Sequence, residues 1–140
     1  KTKNKILHKK IPNVKPGKWL PISTKHTQSK KIFLTTGNIA SLAKDLLIRA
    51  KYNKFSLYSL PIWGMKFKNI QLNQLKKWDE VLVLEDHLED GGFGSWIKES
   101  TNNRKIKTKI ISKSIDKKII SKVGSEQYLL DKYYLKFFGK

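Results

Sequence analysis

Cysteine is missing from all 140 residues, so disulfides and thiolate metal sites are excluded. No apolar run approaches the roughly 20 residues that a membrane-spanning helix needs, and no secretory leader pattern opens the chain. The expectation is an intracellular, cytoplasmic protein with no membrane partner. Lys1 rather than methionine stands first, so the chain is expected to be cut from something longer. Arginine is nearly absent too. Only Arg49 and Arg104 are arginine among 30 basic residues, although base readout and forked phosphate contacts favour that side chain. Recognition-helix, zinc-finger and aromatic RNA-binding patterns are also missing, which argues against a specific nucleic-acid partner.

What the chain has in abundance is lysine, and its formal charge is +19. The positive charge is scattered: ten lysines lie in residues 1–31 and eight basic residues in 104–122. Residues 79–99, by contrast, hold seven of the eleven acids and one lysine. That distribution reads as a solvated surface, with nucleic-acid contact weak, sequence-blind and salt-sensitive. An apolar content of 39% with four tryptophans fits a globular fold, and the length suits one domain around one core.

The rest of the chain is organised around residues 81–97. Val81, Leu82, Val83 and Leu84 form a continuous apolar, β-prone run, the mark of a strand buried on both faces of a parallel sheet. Glu85, Asp86, His87, Glu89 and Asp90 follow, then Gly91, Gly92 and Gly94, and Ser95 onward can start a helix. Glycines there permit positive φ or close backbone approach, and a helix N-terminus presents unpaired N–H groups. As an anion site the turn is poor. The third glycine of a dinucleotide fingerprint and the Gly-Lys-Ser/Thr of a P-loop are both absent, and the acids would repel phosphate. A turn that packs the helix tightly on the sheet is the reading preferred. His87 beside Glu85 and Asp86 invites a general acid–base role, but no nucleophile, second histidine or pocket accompanies it. His87 is instead expected to order the turn or to face a neighbouring domain. The acids also lack calcium-loop spacing.

Elsewhere the patterns alternate. Residues 1–17 are basic, lack acids and contain Pro12 and Pro16, which marks a linker or arm; residues 18–140 form the domain. Residues 18–22 suggest a short strand that Pro21 confines to an edge. Residues 32–36 are a core strand. Asn38 is placed as an N-cap, ahead of Ile39, Leu42, Ala43, Leu46, Leu47 and Ala50 at helical spacing. A strand at 55–60 ends before Pro61, Trp63 and Met65 are read as core plugs, and a short helix covers 69–77. The helix after the glycine turn runs to about Asn102, and residues 105–112 alternate as a half-exposed strand near the sheet edge. A last helix from about Ser125 presents Leu130, Tyr133, Tyr134 and Phe137 on one face. His26 is read as a solvated loop residue. The sum is an α/β three-layer sandwich with a mostly parallel sheet.

The segment Glu85-Asp86-His87-x-x-x-Gly91-Gly92-x-Gly94, directly after a buried strand, resembles the signature of the transketolase C-terminal domain. A Thr-Gly turn before the first long helix and Gly124 before the Leu129-Leu130-containing last helix are similar to that family as well. The proline usual in the linker before the last helix is missing from residues 112–123. The resemblance spans nearly the whole chain. It implies a mixed, mostly parallel five-stranded sheet whose short first strand is antiparallel. It also implies a parent enzyme that transfers two-carbon ketol units between sugar phosphates, using thiamine diphosphate and a divalent metal (Mg) bound between two other domains. The Gly-Asp-Gly…Asn metal motif of those domains is absent here. This domain is therefore expected to serve assembly and dimerisation, with other domains or subunits of the parent as partners and a homodimer as the whole. A 2-oxoacid dehydrogenase component or deoxyxylulose-phosphate synthase is the alternative parent, and a free-standing basic binding module the alternative class.

Overall fold

A computed structural model describes residues 7–8, 10–24, 27–101, 104–134 and 138. His26 and Phe137 lie outside the described residues. Five strands form one sheet: β1 (Leu20–Ser23), β2 (Lys31–Thr35), β3 (Ser56–Ser59), β4 (Glu80–Leu84) and β5 (Lys109–Lys113). Their order across the sheet is β1-β3-β2-β4-β5. Strand β1 pairs antiparallel with β3, and every other pairing is parallel. The expected architecture is therefore the one observed, with Pro21 on the edge strand, where its missing N–H costs no ladder bond.

Among the described residues four helices cover the two faces: α1 (Ile39–Leu46), α2 (Lys68–Leu75), α3 (Phe93–Glu99) and α4 (Glu126–Tyr133). Strand side chains alternate between the faces. Phe33, Leu57, Leu82 and Leu84 point toward α1, Tyr134 and Phe138. Ile32, Leu34, Val81 and Val83 meet Leu75 of α2 and Phe93, Trp96 and Ile97 of α3. Burying one such side chain contributes about 1.5–3 kcal/mol, and β4 buries four in succession. That double burial makes β4 and β2 the centre of the domain.

Several local expectations are corrected. Helix α1 stops at Leu46, because Arg49 turns to an extended conformation and a 3-10 turn at Ala50–Tyr52 rotates Tyr52 into the core. Asn38 stands at the N-cap position but its backbone is helical and its side chain makes no cap bond. Residues 105–108 are not strand. There Thr108 donates to the Leu75 carbonyl, fastening the segment before the ladder begins with the Lys109 N–H on the Asp79 carbonyl. Met65 is exposed rather than a core plug, whereas Trp63 does pack against Phe93 and Trp96. In α4, Ser125 is a true N-cap, its hydroxyl accepting from the Tyr128 N–H. Tyr133, Tyr134 and Phe138 of the last segment are buried.

Candidate functional site

The chain after β4 is built around one buried carboxyl group. Glu85 is fully buried, and its Oε1 accepts the Gly94 N–H at 3.1 Å and the Ser112 hydroxyl at 3.3 Å. Helix α3 begins at Phe93, with Gly92 as its N-cap, so Glu85 supplies from β4 the acceptor that a cap residue would supply locally. Sequence reading placed that helix start two residues later, at Ser95, because a partner across the turn is invisible to local pattern. The Glu85 N–H donates to the Lys113 carbonyl, and the Tyr134 hydroxyl donates to the same oxygen at 3.0 Å. One carboxyl thus joins β4, α3 and β5, with α4 closing beside it.

The glycines serve this junction in two ways. Gly91 has φ +70, the left-handed turn that favours glycine. Gly92 and Gly94 are needed for space. A Cβ on Gly92 would overlap Glu85 Oε2 and lie 2.7 Å from the Leu88 carbonyl oxygen. On Gly94 it would overlap Ser112 Oγ and lie 2.7 Å from Glu85 Oε1. Both glycines are therefore the walls of a slot cut for the Glu85 side chain.

Burial pushes the Glu85 carboxyl above the usual range. The Gly94 and Phe93 N–H groups, the Ser112 hydroxyl and nearby His87 pull it partway back. Oε2 has no hydrogen-bond partner among the described residues. Burial likewise pushes the Tyr134 hydroxyl up, with the Glu85 and Asp86 charges adding to the effect.

The remaining acids turn outward and apart. Asp90 Oδ2 meets Lys117 Nζ at 2.8 Å, Glu89 Oε1 meets Lys98 Nζ at 3.5 Å, and His87 Nε2 stands 3.6 Å from Asp86 Oδ1. The His87 side chain is 64% exposed, while its carbonyl accepts the Ile115 N–H at 2.9 Å. His87 therefore orders the turn through its backbone and leaves its ring in solvent. These residues do not fit a magnesium diphosphate. One carboxyl is buried and capping a helix, and Asp90 and Glu89 are drawn into separate ion pairs with Lys117 and Lys98. Among the described residues no three histidines, cysteines or acids gather where they could hold a metal, and no helix is long and apolar enough to cross a membrane.

A second polar centre escaped sequence reading. Gln71, fully buried in α2, accepts Trp19 Nε1–H at 2.7 Å and donates at 2.9 Å to both the Gly17 and Phe67 carbonyls. Gln74 also donates to the Gly17 carbonyl and accepts the Trp19 N–H. Gly17 has φ +71, and a Cβ there would lie 2.6 Å from Ile70 Cδ1. The arm is thus clamped to α2 where it meets β1. Two glutamines in a helix of weak amphipathic pattern gave no signal; Gly17 after Pro16 was the only local hint.

An α/β/α domain with a parallel sheet, one antiparallel edge strand and this glycine-walled acidic turn has the fold of a transketolase C-terminal domain. A solved chain described as "Split gene transketolase, inactive beta4 tetramer" superimposes with a TM-score of 0.66 at 15% sequence identity. The superposition covers 87% of this chain and 39% of that chain. No protein-family model and no curated protein matches the sequence.

Proposed function

We propose that this chain is the C-terminal domain of a transketolase-like enzyme that moves two-carbon ketol units between sugar phosphates. Its part is structural: it supports assembly and dimerisation and does not hold the cofactor. Thiamine diphosphate and magnesium belong to other domains, carried on the same polypeptide or on a partner subunit. The observation that carries this reading is the turn after β4. Its Glu85-Asp86-His87 and glycine pattern sits on the transketolase-like fold, yet its one buried carboxyl is consumed in capping α3.

The reading is tested by reconstitution. The 140-residue chain alone should show no ketol transfer and no magnesium-dependent heat on titration with thiamine diphosphate. Joined to the polypeptide encoded beside it, which should carry a Gly-Asp-Gly…Asn motif and an aminopyrimidine-binding domain, it should give ketol transfer between sugar phosphates. Tight cofactor binding by this chain alone would overturn the structural role. A reconstituted enzyme that decarboxylates 2-oxoacids instead would move the domain to the 2-oxoacid dehydrogenase group.

A further inference from the structure

Lysines that are scattered along the chain are gathered by the fold. Strands β2, β3, β4 and β5 run parallel, so the segments that lead into them arrive at one end of the sheet, the amino end. Residues 29–31, 49–55, 76–80 and 104–109 belong to those arrivals. They hold eleven of the 30 basic residues but only two of the eleven acids, Asp79 and Glu80. The nine lysines among them and Arg104 are exposed. Of the two acids, Glu80 is already paired, its carboxylate 3.3 Å from Lys31 Nζ.

Hydrogen bonds set the four segments side by side. The Ser29 hydroxyl donates to the Lys54 carbonyl, the Asp79 N–H to the Lys30 carbonyl at 2.9 Å, and the Lys109 N–H to the Asp79 carbonyl at 2.8 Å. Neighbouring strands lie about 4.8 Å apart, so the four strand starts form a row roughly 15 Å wide. Lysines near helix ends have an ordinary explanation. The carboxyl ends of α1, α2 and α3 point to this end, and each carries roughly half a negative charge. Three half charges do not balance eleven cations against two acids. Positive groups within the ~8 Å screening length repel one another, so this end is stabilised whenever an extended anion covers it.

The kind of anion follows from what surrounds the lysines. Protein–protein interfaces are depleted in lysine and built around aromatic or apolar anchors, and membrane surfaces are held by buried apolar side chains as well as by charge. Ile48, 83% exposed, is the one exposed large apolar side chain among the described residues that borders these segments. Nucleic-acid interfaces are instead much more positively charged than protein interfaces, and lysine meets a phosphate as a point charge without the fork of arginine. Arg49 and Arg104, the two arginines among the eleven cations, leave little capacity for base readout. The Glu85 turn and its acids follow β4, so they lie at the opposite, carboxyl end and do not oppose such a partner.

We propose that the amino end of the sheet docks the phosphate backbone of a nucleic acid without reading its sequence. Fluorescence anisotropy of the 140-residue chain with two labelled DNA duplexes of unrelated sequence tests it. Both should bind alike, and binding should fall with salt as though about four or more phosphates are engaged. Lys54→Glu, Lys77→Glu and Lys107→Glu together should weaken binding at least ~tenfold. Lys15→Glu, Lys66→Glu and Lys122→Glu, an equal change of net charge at exposed positions away from this end, should cost less than about threefold. Amine labelling of the parent chain reads the same surface without any substitution: bound duplex should protect Lys54, Lys77 and Lys107 and leave Lys15, Lys66 and Lys122 reactive. Absence of binding, a strong preference for one duplex, equal losses in the two variants or uniform protection overturns the proposal. Tighter binding of polyglutamate or of anionic-lipid vesicles than of duplex, at the same salt and charge concentration, overturns the choice of partner and with it the proposal. None of these results bears on ketol transfer, which the reconstitution reads separately.

Discussion

Two buried polar side chains, Glu85 after β4 and Gln71 in α2, do comparable jobs with different completeness. Gln71 uses both its amide oxygen and its amide nitrogen, joining Trp19, Gly17, Phe67 and Gln74. Glu85 satisfies one oxygen through Gly94 and Ser112 and leaves the other without a partner. A satisfied neutral amide holds its elements at any pH. A half-satisfied carboxyl does so at a cost that depends on its proton, since an ionised oxygen with no donor is expensive to bury. The arm is therefore fixed by a lock insensitive to pH, and the β4–α3–β5 junction by a sensitive one.

The largest effect should come from filling the Glu85 slot. Gly94→Val puts a branched side chain where the Ser112 and Glu85 side chains already sit, and overpacking of this kind costs about 1–3 kcal/mol, here toward the upper end because the Cβ alone would overlap Ser112 Oγ. Urea denaturation should show the loss, and a variant as stable as the parent would mean the slot is not closed. Next comes Gln71→Leu, which strands the Trp19 indole N–H while the Gly17 carbonyl keeps its bond from Gln74. Each buried orphan costs roughly 1–3 kcal/mol, so a loss of about 2 kcal/mol is expected, equal at pH 5 and pH 8. A loss that varied with pH would blur the contrast between the two centres. Smallest is His87→Ala. Its ring is exposed and its structural contact is a carbonyl, so the change should stay within about 0.5 kcal/mol. A larger loss would give the ring a role that the geometry does not show.

The sheet was legible because parallel core strands are continuous apolar runs, and Val81 to Leu84 declares itself without help from neighbours. The turn after it was half legible. Its glycines were recognisable as serving close packing, but which of them needed a special φ was not. Only Gly91 does, and Gly92 and Gly94 answer instead to a side chain packed against them from β4. Glu85 looked like one acid among five polar residues, since nothing local separates the one that turns inward from those that turn out. The clamp was illegible for the same reason. Gln71 meets Gly17 across 54 residues of sequence, and buried amides carry no periodic signal. Met65 was misplaced because apolar character was taken to mean burial, whereas more than half of a folded protein's surface is contributed by apolar atoms.

The most direct test is the stability of the parent chain against Glu85→Gln, measured across pH. Gln keeps an oxygen for the Gly94 N–H and Ser112 and removes the proton. Because the folded-state carboxyl is raised above its unfolded value, the contribution of Glu85 is fully present below the ordinary glutamate range. It is lost as pH rises through the raised value. The stability of the parent relative to Glu85→Gln should therefore fall steadily from acid to neutral pH, leaving the glutamine chain at least as stable at pH 7. A difference that stays flat, or that grows in the parent's favour as pH rises, would show a carboxylate stabilised in its ionised form and contradict the account of the junction.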